Sequence, residues 1–426
     1  MASPSYAPLP LYFSSMPTLL DGIHVVELTE ALAGPYCAMM LGDFGAQVIK
    51  VERPDSGDQS RTWGPPFIGT ESAYFLATNR NKRSLTLNYN DPVGLDVLHR
   101  LLGRADVFIC NQPSLDSLRR RGIDPDSLRS KHPRLIYCAI SGYGHTGPKA
   151  GQPGYDILAQ AEAGVMSFTG ERNGEPMRFP VAIADLTTGM YAAMGILAAL
   201  YARERTGRGD FLDLALFDSQ LTWLANIGSN FLNAGISPER WGNAHPSIVP
   251  YQLFCGSDGR SFVLAVGTNA LWHRLLQLLN LERQLGSDPR FATNADRTHH
   301  REYLVDLLQQ HFSSLPTDTW VNRLMAADIP AAPVQTVGEA LSHPQTLSRG
   351  LIVELEHPTL KAVRSVANPI RLQDQPAVYR LPPPLLGEHN QEILRELQLS
   401  SSQIDLALQS ACASPPPSEP TAPRHK

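Results

Sequence analysis

IHVVELTEALAGPYCAMMLGDFGAQVIKVE, residues 23–52, is the stretch that decides the fold of this 426-residue chain. Residues 23–28 form a short apolar run that suits a buried parallel strand. Gly34-Pro35 then opens a helix of small residues, and residues 46–52 predict a second strand. Because strand, helix and strand follow one another within about thirty residues, the stretch predicts a right-handed βαβ unit.

The same alternation continues further along the chain. An amphipathic helix over 91–105 precedes a strand at 106–110, and a long strand covers 134–144. A predicted apolar strand leads into Asp185, a helix follows that residue, and another strand covers 210–218. This order predicts an α/β fold built on a doubly wound, Rossmann-like sheet.

After residue 225 the pattern changes to a hairpin and several helices, which predicts a smaller α+β domain. The predicted division is a flexible N-terminal extension (1–20), a large Rossmann-like domain (21–224), the small domain (225–335), a return segment that packs on the large domain (336–405) and a Pro-rich disordered tail (406–426).

The composition argues against several classes of function. With 36 Lys and Arg against 41 Asp and Glu, the net charge of −5 gives no electrostatic reason to expect nucleic acid or a membrane as partner. The five cysteines form no CxxC pair and no histidines have metal-binding spacing, so we expect no metal. No apolar run reaches the ~18 residues of a membrane span and no targeting pattern is present, so we expect a cytoplasmic protein.

Two basic segments are candidate phosphate sites. The first is at Arg53, which directly follows the second strand. The loop after the first strand has one glycine and therefore lacks the G-x-G-x-x-G motif with which dinucleotide enzymes bind a pyrophosphate. NRNKRS, residues 79–84, is a dense basic cluster that includes Lys82. Such cations can hold an adenosine phosphate. Loop arginines and charge clusters are also common on solvated faces, and spacing alone leaves both roles open.

Asp185 lies where the predicted strand becomes a helix, in PVAIADLTTGMYAAMG. An aspartate in that position commonly caps the first N–H groups of the helix, and position alone favours this structural role. A second role is compatible with it, because helix N–H groups hold a carboxylate as an anion and Gly189 adds no bulk. A carboxylate is the nucleophile that CoA transfer requires, since it can form an anhydride and then a CoA thioester.

Several strings, in this order, resemble the class III CoA-transferases (the CaiB/BaiF family) from Leu20 to about Leu399. They are the opening stretch to Asp58, NRNKRSLTLN, LIYCAISGYGHTGP, GYDILAQAEAG, ADLTTGMYAAMGILAAL, RTGRGDFLDLALFD and PPPLLGEHNQEIL. The resemblance implies that the Rossmann-like domain (21–224) binds CoA and carries the catalytic residue, with a smaller domain beside it. A homodimer of two interlocked chains is implied as well. It also implies an enzyme for which coenzyme A is substrate and product and which needs no other cofactor.

The resemblance gives Asp185 the role of nucleophile. It gives CoA-binding roles to Arg53 on the phosphates, Leu87 and Asn111 at the adenosine, and Lys82 and Arg120 as further candidates. ICNQPSLDS departs from the family's usual V-E-N-Y/F-x-P-G by one apparent extra residue, which weakens the match at Asn111 and Arg120.

Within the family, RTWGPPFIGTES (61–72) and RWGNAHPSIVPYQ (240–252) resemble the succinyl-CoA:glutarate (hydroxymethylglutarate) branch. The predicted partners are therefore an acyl-CoA such as succinyl-CoA and a small carboxylic, in particular dicarboxylic, acid. The second carboxylate of such an acid needs cationic or multiply donating groups. The candidates are Arg61, Tyr155, Arg240 and His245.

Two alternatives stand beside CoA transfer. Acyl-CoA racemases of the same superfamily pair an aspartate matching Asp185 with the histidine of a G-H-D motif, which here is Gly154-Tyr155-Asp156. Tyrosine, with an ordinary pKa near ~10, is a poor base near neutrality, so transfer is favoured over racemisation. The other alternative is a non-catalytic CoA-binding protein, which predicts binding without turnover.

Overall fold

The computed structural model describes residues 18–112 and 115–412. These residues divide into two compact units. The larger comprises residues up to Ala163, Pro180–Trp223 and the chain from Gly350 onward, and the smaller comprises Gly164–Phe179 and Leu224–Arg349. The predicted division differs here, because it assigns 164–179 to the large domain and 336–349 to the return segment. Most of the predicted extension and tail (1–17 and 413–426) lies outside the described residues.

The strands are, in chain order, β1 His24–Leu28, β2 Gln47–Glu52, β3 Phe67–Ile68, β4 Glu71–Ser72, β5 Lys82–Thr86, β6 Val107–Cys110, β7 Ile136–Ser141, β8 Phe211–Ala215, β9 Tyr251–Cys255, β10 Ser261–Ala265, β11 Ala331–Pro333, β12 Ile352–His357 and β13 Lys361–Val366.

The α-helices are, in chain order, α1 Ala33–Asp43, α2 Ala73–Thr78, α3 Pro92–Leu102, α4 Leu115–Arg121, α5 Pro125–Lys131, α6 Asp156–Glu162, α7 Val165–Phe168, α8 Ile183–Thr206, α9 Leu216–Leu221, α10 Ala225–Ala234, α11 Asn269–Leu279, α12 Glu282–Leu285, α13 Asn294–His299, α14 Arg301–Phe312, α15 Thr317–Ala326, α16 Val337–Ser342, α17 Pro344–Ser348, α18 Asn390–Glu396 and α19 Ser401–Leu406.

The larger unit is built on a parallel sheet, which in the described part of the chain has six strands in the order β5-β2-β1-β6-β7-β8. Numbered by chain position within this sheet, the order is 3-2-1-4-5-6, the order of Rossmann folds. The predicted α/β architecture with a doubly wound parallel sheet is thus confirmed. Because the order reverses between β1 and β6, a crevice is expected at the carboxyl ends of these two strands.

Both faces of this sheet carry a hydrophobic core. On β1, Val26 and Leu28 belong to one buried cluster, whereas Val25 belongs to the other. Residues of α3 and α18 cover the first face, and residues of α1 and α8 cover the second. Since successive side chains of a strand point to opposite faces, a strand that is apolar throughout is what a sheet covered on both sides requires.

Three predictions about individual elements are wrong. The strand predicted to lead into Asp185 is absent, because residues 175–182 form no strand and α8 begins at Ile183. The strand predicted over 210–218 ends at Ala215, and Leu216 begins α9. An apolar run cannot by itself distinguish a strand from the start of a buried helix. The predicted tail begins too early, because Ala407 and Cys412 are buried in the core.

Helix α8 differs from the expectation that no apolar run reaches the length of a membrane span. Among the described residues, it alone has the length and apolar composition of a membrane span, with a mean hydropathy of 1.5. About 44% of that stretch is buried inside the protein, and the helix packs on α1 and on strands β7 and β8. Because a core helix meets the same criteria, this feature is weak evidence for a membrane.

The smaller unit has its own core. Strands β9, β10 and β11 form an antiparallel sheet in the order β11-β10-β9, which confirms the predicted hairpin. Its buried cluster is rich in aromatic side chains, including Phe254, Phe262 and Trp272. Aromatic rings bury large apolar areas, so this unit has a hydrophobic core independent of the parallel sheet.

Candidate active site

Asp185 is the third residue of α8, and it does not cap the helix as position alone suggested. The N-cap residue is Ala182, which makes no side-chain cap bond. The cap comes from another helix instead, because Oδ1 of Asp156 accepts the N–H of Ala184 at 2.8 Å. Oδ2 of Asp156 accepts a hydrogen bond from Gln160 at 2.7 Å, which fixes its orientation.

The environment of Asp185 raises the pKa of its carboxyl group to about 7. Burial is the larger cause, and the negative charge of Asp156 adds to it. No cation in the described part of the chain offsets these two effects. A largely buried carboxylate with no salt bridge among the described residues is an expected feature of a reactive group rather than of a structural one.

The Asp185 side of α8 faces the first turn of α1. Gly189 lies four residues after Asp185 and therefore on the same face of the helix. A Cβ atom at Gly189 would stand 2.6 Å from the carbonyl oxygen of Ala33, so the backbones of α8 and α1 are in direct contact there. Glycine at this position thus sets the distance between Asp185 and the start of α1.

Tyr74 is a second polar group near Asp185 that the sequence did not single out. Its pKa is raised to about 12, first by burial and then by the negative charges of Asp185 and Asp156. Ser72 caps α2 by accepting the Tyr74 N–H at 3.1 Å, and the ring of Trp63 packs edge-on against Tyr74 at 4.8 Å. The phenol is therefore held in place, protonated, beside two carboxylates.

A pocket opens at the crevice that the strand order predicts. It is lined by residues at the ends of β1 and β2 or shortly after β1, β2, β5 and β6, namely Leu28, Thr29, Glu30, Val51, Glu52, Arg53, Asp58, Tyr89 and Gln112. Its position at the carboxyl ends of parallel strands is where doubly wound folds bind nucleotides.

Arg53 is in this pocket and is about half exposed, with 49% of its side chain accessible. Its guanidinium contacts Glu30 at 3.1 Å and donates to the Gly57 carbonyl at 3.3 Å. Asn111 does not present a free amide, because its side chain is bonded to the backbone N–H and carbonyl of Glu30. Arg53 is thus placed to meet a phosphate, and Asn111 shapes the loop next to it.

The other two candidates for the adenosine end differ in position. Leu87 is completely buried in the core of the sheet, so its side chain packs inside the protein. Arg120 is exposed on α4 and is not one of the residues that line the pocket. Tyr89 and Gln112 line the pocket instead.

Lys82 corrects the interpretation of the basic cluster as a phosphate site. Its ammonium group is fully buried and pairs with Glu27 at 2.8 Å. It also donates to the Pro35 carbonyl and to Asn79, both at 2.8 Å. Glu27 pairs on its other side with Lys50 at 2.9 Å. Burial alone would raise the pKa of Glu27, but the two lysines together lower it. Lys82 therefore holds the first turn of α1 instead of a ligand.

Arg61 is also committed to the protein. Only 9% of its side chain is exposed, and it pairs with Glu52 at 2.7 Å and with Glu71 at 3.4 Å. Its guanidinium lies 3.7 Å above the ring of Phe75. Glu52 also accepts a hydrogen bond from Oγ of Ser84 at 2.6 Å. The two residues form a structural pair, which argues against Arg61 as a carboxylate-binding residue.

The remaining candidates for binding the acceptor acid belong to different units. Tyr155 is exposed on the larger unit and directly precedes Asp156. In the smaller unit, Arg240 donates to the carbonyls of Ser167 and Gly174, and Nδ1 of His245 accepts the Ser247 N–H. The Arg240 bonds use donors that a substrate carboxylate would need, whereas the His245 bond uses a ring nitrogen as an acceptor. The described residues contain no group of three His, Cys, Asp or Glu side chains that could hold a metal.

Sequence reasoning missed Asp156, Tyr74, Tyr89 and Gln112. One signal was available, because Asp156 is the last residue of the Gly154-Tyr155-Asp156 string, which aligns with the racemases' G-H-D motif. The other three carry no local pattern.

Comparison with known proteins agrees with this geometry. The family described as CoA-transferase family III matches residues 20–390. The chain is 40% identical to succinyl-CoA:glutarate CoA-transferase of Homo sapiens over 378 residues, or 89% of this chain and 86% of that protein. It is 42% identical to succinate–glutarate CoA-transferase of Agrobacterium fabrum, over 89% of this chain and 96% of that protein.

A crystal structure of a CaiB/BaiF family protein from Brucella suis superposes with a TM-score of 0.82. The two sequences are 42% identical, and the match covers 90% of this chain and 100% of that one. The resemblance carried by the sequence strings is therefore confirmed, and the chain belongs to CoA-transferase family III, whose members are enzymes.

Proposed function

We propose that the protein transfers CoA from an acyl-CoA to a carboxylic acid with Asp185 as the covalent nucleophile. The observation that carries this proposal is the state of the Asp185 carboxyl group: Asp156 caps α8 in its place, and no cation of the described residues pairs with it. An aspartate relieved of its structural bond is available to attack a thioester.

The reaction proceeds in four balanced steps. The Asp185 carboxylate attacks the thioester carbonyl, which forms a mixed anhydride and expels the CoA thiolate. The thiolate attacks the Asp185 carbonyl carbon, which forms an aspartyl-CoA thioester and releases the donor acid. The acceptor carboxylate attacks that thioester and expels the thiolate again. The thiolate then attacks the acceptor carbonyl, which forms the new acyl-CoA and restores Asp185.

Each step passes through a tetrahedral carbon that bears negative charge on oxygen. Tyr74 is a candidate donor to this oxygen, because its phenol interacts electrostatically with Asp185. Because its phenol stays protonated at neutral pH, it can donate a hydrogen bond to that oxygen. The phosphates of CoA lie in the pocket lined by Arg53, and the adenine lies against Tyr89.

The proposed donor is succinyl-CoA and the proposed acceptor is a dicarboxylic acid such as glutarate. This assignment is supported by relatives named as succinyl-CoA:glutarate and succinyl-CoA–D-citramalate CoA-transferases. We also propose that two chains form an interlocked homodimer that works in the cytoplasm. Light scattering during size-exclusion chromatography tests the dimer.

The mechanism is tested by trapping the intermediate. Incubation with succinyl-CoA, without an acceptor, should leave one CoA on the intact protein, and peptide mass spectrometry should locate it on Asp185. Borohydride should convert that thioester to a primary alcohol and release CoA. Asp185→Asn should show no adduct and no transfer. Asp218→Asn, an exposed aspartate in the first turn of α9, is the matched control and should retain both.

The racemase alternative is distinguished by proton exchange. A racemase would exchange the α-hydrogen of an acyl-CoA with solvent deuterium in the absence of any acceptor acid. We expect no such exchange, because the exposed Tyr155 replaces the histidine base.

Full transfer activity in Asp185→Asn would eliminate the proposed mechanism.

A further inference from the structure

The pocket proposed for the CoA phosphates contains a carboxylate in contact with its arginine. Oε2 of Glu30 lies 3.1 Å from Nη2 of Arg53, and both residues line the pocket. One quarter of the Glu30 side chain and half of the Arg53 side chain are exposed. A polyanion that enters this pocket therefore meets a guanidinium already paired with an acid.

The position of Glu30 is fixed by its backbone and not by this ion pair. Oδ1 of Asn111 accepts the Glu30 N–H at 3.2 Å, and Nδ2 of Asn111 donates to the Glu30 carbonyl at 2.9 Å. On either side, Lys50 donates to the Thr29 carbonyl at 2.9 Å and the Ala31 N–H donates to Asp58 at 3.0 Å. Glu30 therefore stays beside the pocket when Arg53 changes partner.

A phosphate and the Glu30 carboxylate compete for the same guanidinium. A partly exposed ion pair contributes little free energy, so a phosphate of higher charge can displace it. The displaced carboxylate remains close to the phosphate and repels it. The other charges around Glu30 are those of Lys50 and Asp58. Burial raises the pKa of Glu30, and Arg53 partly offsets this effect.

We propose that Glu30 is an internal competitor for Arg53 that weakens the binding of CoA. The residue would hold the guanidinium in place while the pocket is empty and would speed the release of the CoA product. This inference rests on the proposed function, because it takes CoA as the ligand of the pocket.

The test is calorimetric titration of the full-length protein with free coenzyme A. Glu30→Gln keeps the size of the side chain and the Asn111 backbone bonds and removes the charge. It should bind CoA about 3- to 10-fold more tightly than the wild type. Arg53→Gln should bind about 10-fold more weakly or worse. In turnover, Glu30→Gln should lower KM for the acyl-CoA without lowering KM for the acceptor acid.

The matched control is Glu354→Gln, because Glu354 is also an exposed partner of an arginine, Arg364, at 2.7 Å, and is not among the pocket-lining residues. It should leave the CoA affinity unchanged. Equal or weaker CoA binding by Glu30→Gln, with Arg53→Gln still impaired, would show that Glu30 contacts the ligand favourably and would overturn the inference. A folded wild type that binds no CoA would instead overturn the proposed function, and this inference with it.

Discussion

Asp156 and Ala184 are joined by a hydrogen bond of 2.8 Å, from the Ala184 N–H to the Asp156 carboxylate. This bond caps α8 with the first residue of α6, which lies 28 residues before Ala184 in the chain. It leaves the carboxylate of Asp185, on the next residue, without that structural duty. The same bond places a second negative charge near Asp185, which helps to raise the pKa of its carboxyl group.

The first prediction concerns the pH dependence of the reaction. Only the ionised form of Asp185 is nucleophilic, so kcat/KM for the acyl-CoA should rise with pH through about 7, the pKa of Asp185. Asp156→Asn removes the neighbouring charge while its Oδ1 can still accept the Ala184 N–H. Because burial remains, the acid limb should move to lower pH but not to that of an exposed aspartate.

The control for this prediction is Asp156→Ala, which removes both the charge and the cap. It should shift the acid limb in the same direction and should also lower the free energy of unfolding by about 0.5–2 kcal/mol. If the pH profile of Asp156→Asn coincides with that of the wild type, the charge of Asp156 does not act on Asp185.

The second prediction concerns stability. The pKa of Asp185 is raised on folding, so its ionisation in the folded protein costs free energy. That cost is absent below the pKa of the unfolded chain, grows as pH rises, and is complete above about 7. Asp185→Asn should therefore stabilise the protein by about 2–4 kcal/mol at pH 8 and hardly at all at pH 4. Thermal unfolding at the two pH values is the measurement, and an equal effect at both would contradict it.

The third prediction concerns the buried charges. Lys82→Met leaves Glu27 with only Lys50 as a cationic partner and removes the bond to the Pro35 carbonyl. Breaking a buried pair costs about 3–5 kcal/mol, so the midpoint of urea unfolding should fall markedly. Arg83→Met, next in sequence but paired with half-exposed Glu392, should cost about 1 kcal/mol or less. A Lys82→Met variant with wild-type stability and impaired CoA binding would restore the ligand-binding role.

The fourth prediction separates the residues of the adenosine end. Tyr89→Ala should weaken the binding of CoA by about 5- to 150-fold, because stacking of a base on an aromatic ring contributes about 1–3 kcal/mol. Arg120→Ala should have little effect, since Arg120 is exposed on α4 and does not line the pocket. Calorimetry with CoA measures both. A larger loss in Arg120→Ala than in Tyr89→Ala would reverse the assignment.

The sequence by itself determined the α/β class, the opening βαβ unit and the residue proposed as nucleophile. The apolar run at 23–28 and the glycines around α1 act locally, through periodicity and backbone freedom, and therefore appear in the sequence. The structure confirmed the parallel order that these elements predict. Asp185 was recognisable because the string around it matches the family.

Only the tertiary structure decided what each charged side chain does. Lys82 and Arg53 were both candidate phosphate-binding cations in the sequence. In the structure Lys82 is buried against Glu27, whereas Arg53 lines a pocket. Arg61 was a substrate candidate until the fold placed it on Glu52. The physical reason is that a charge takes its role from burial and from its partners. Those partners come from other strands and helices, far away along the chain, as Asp156 does for Ala184.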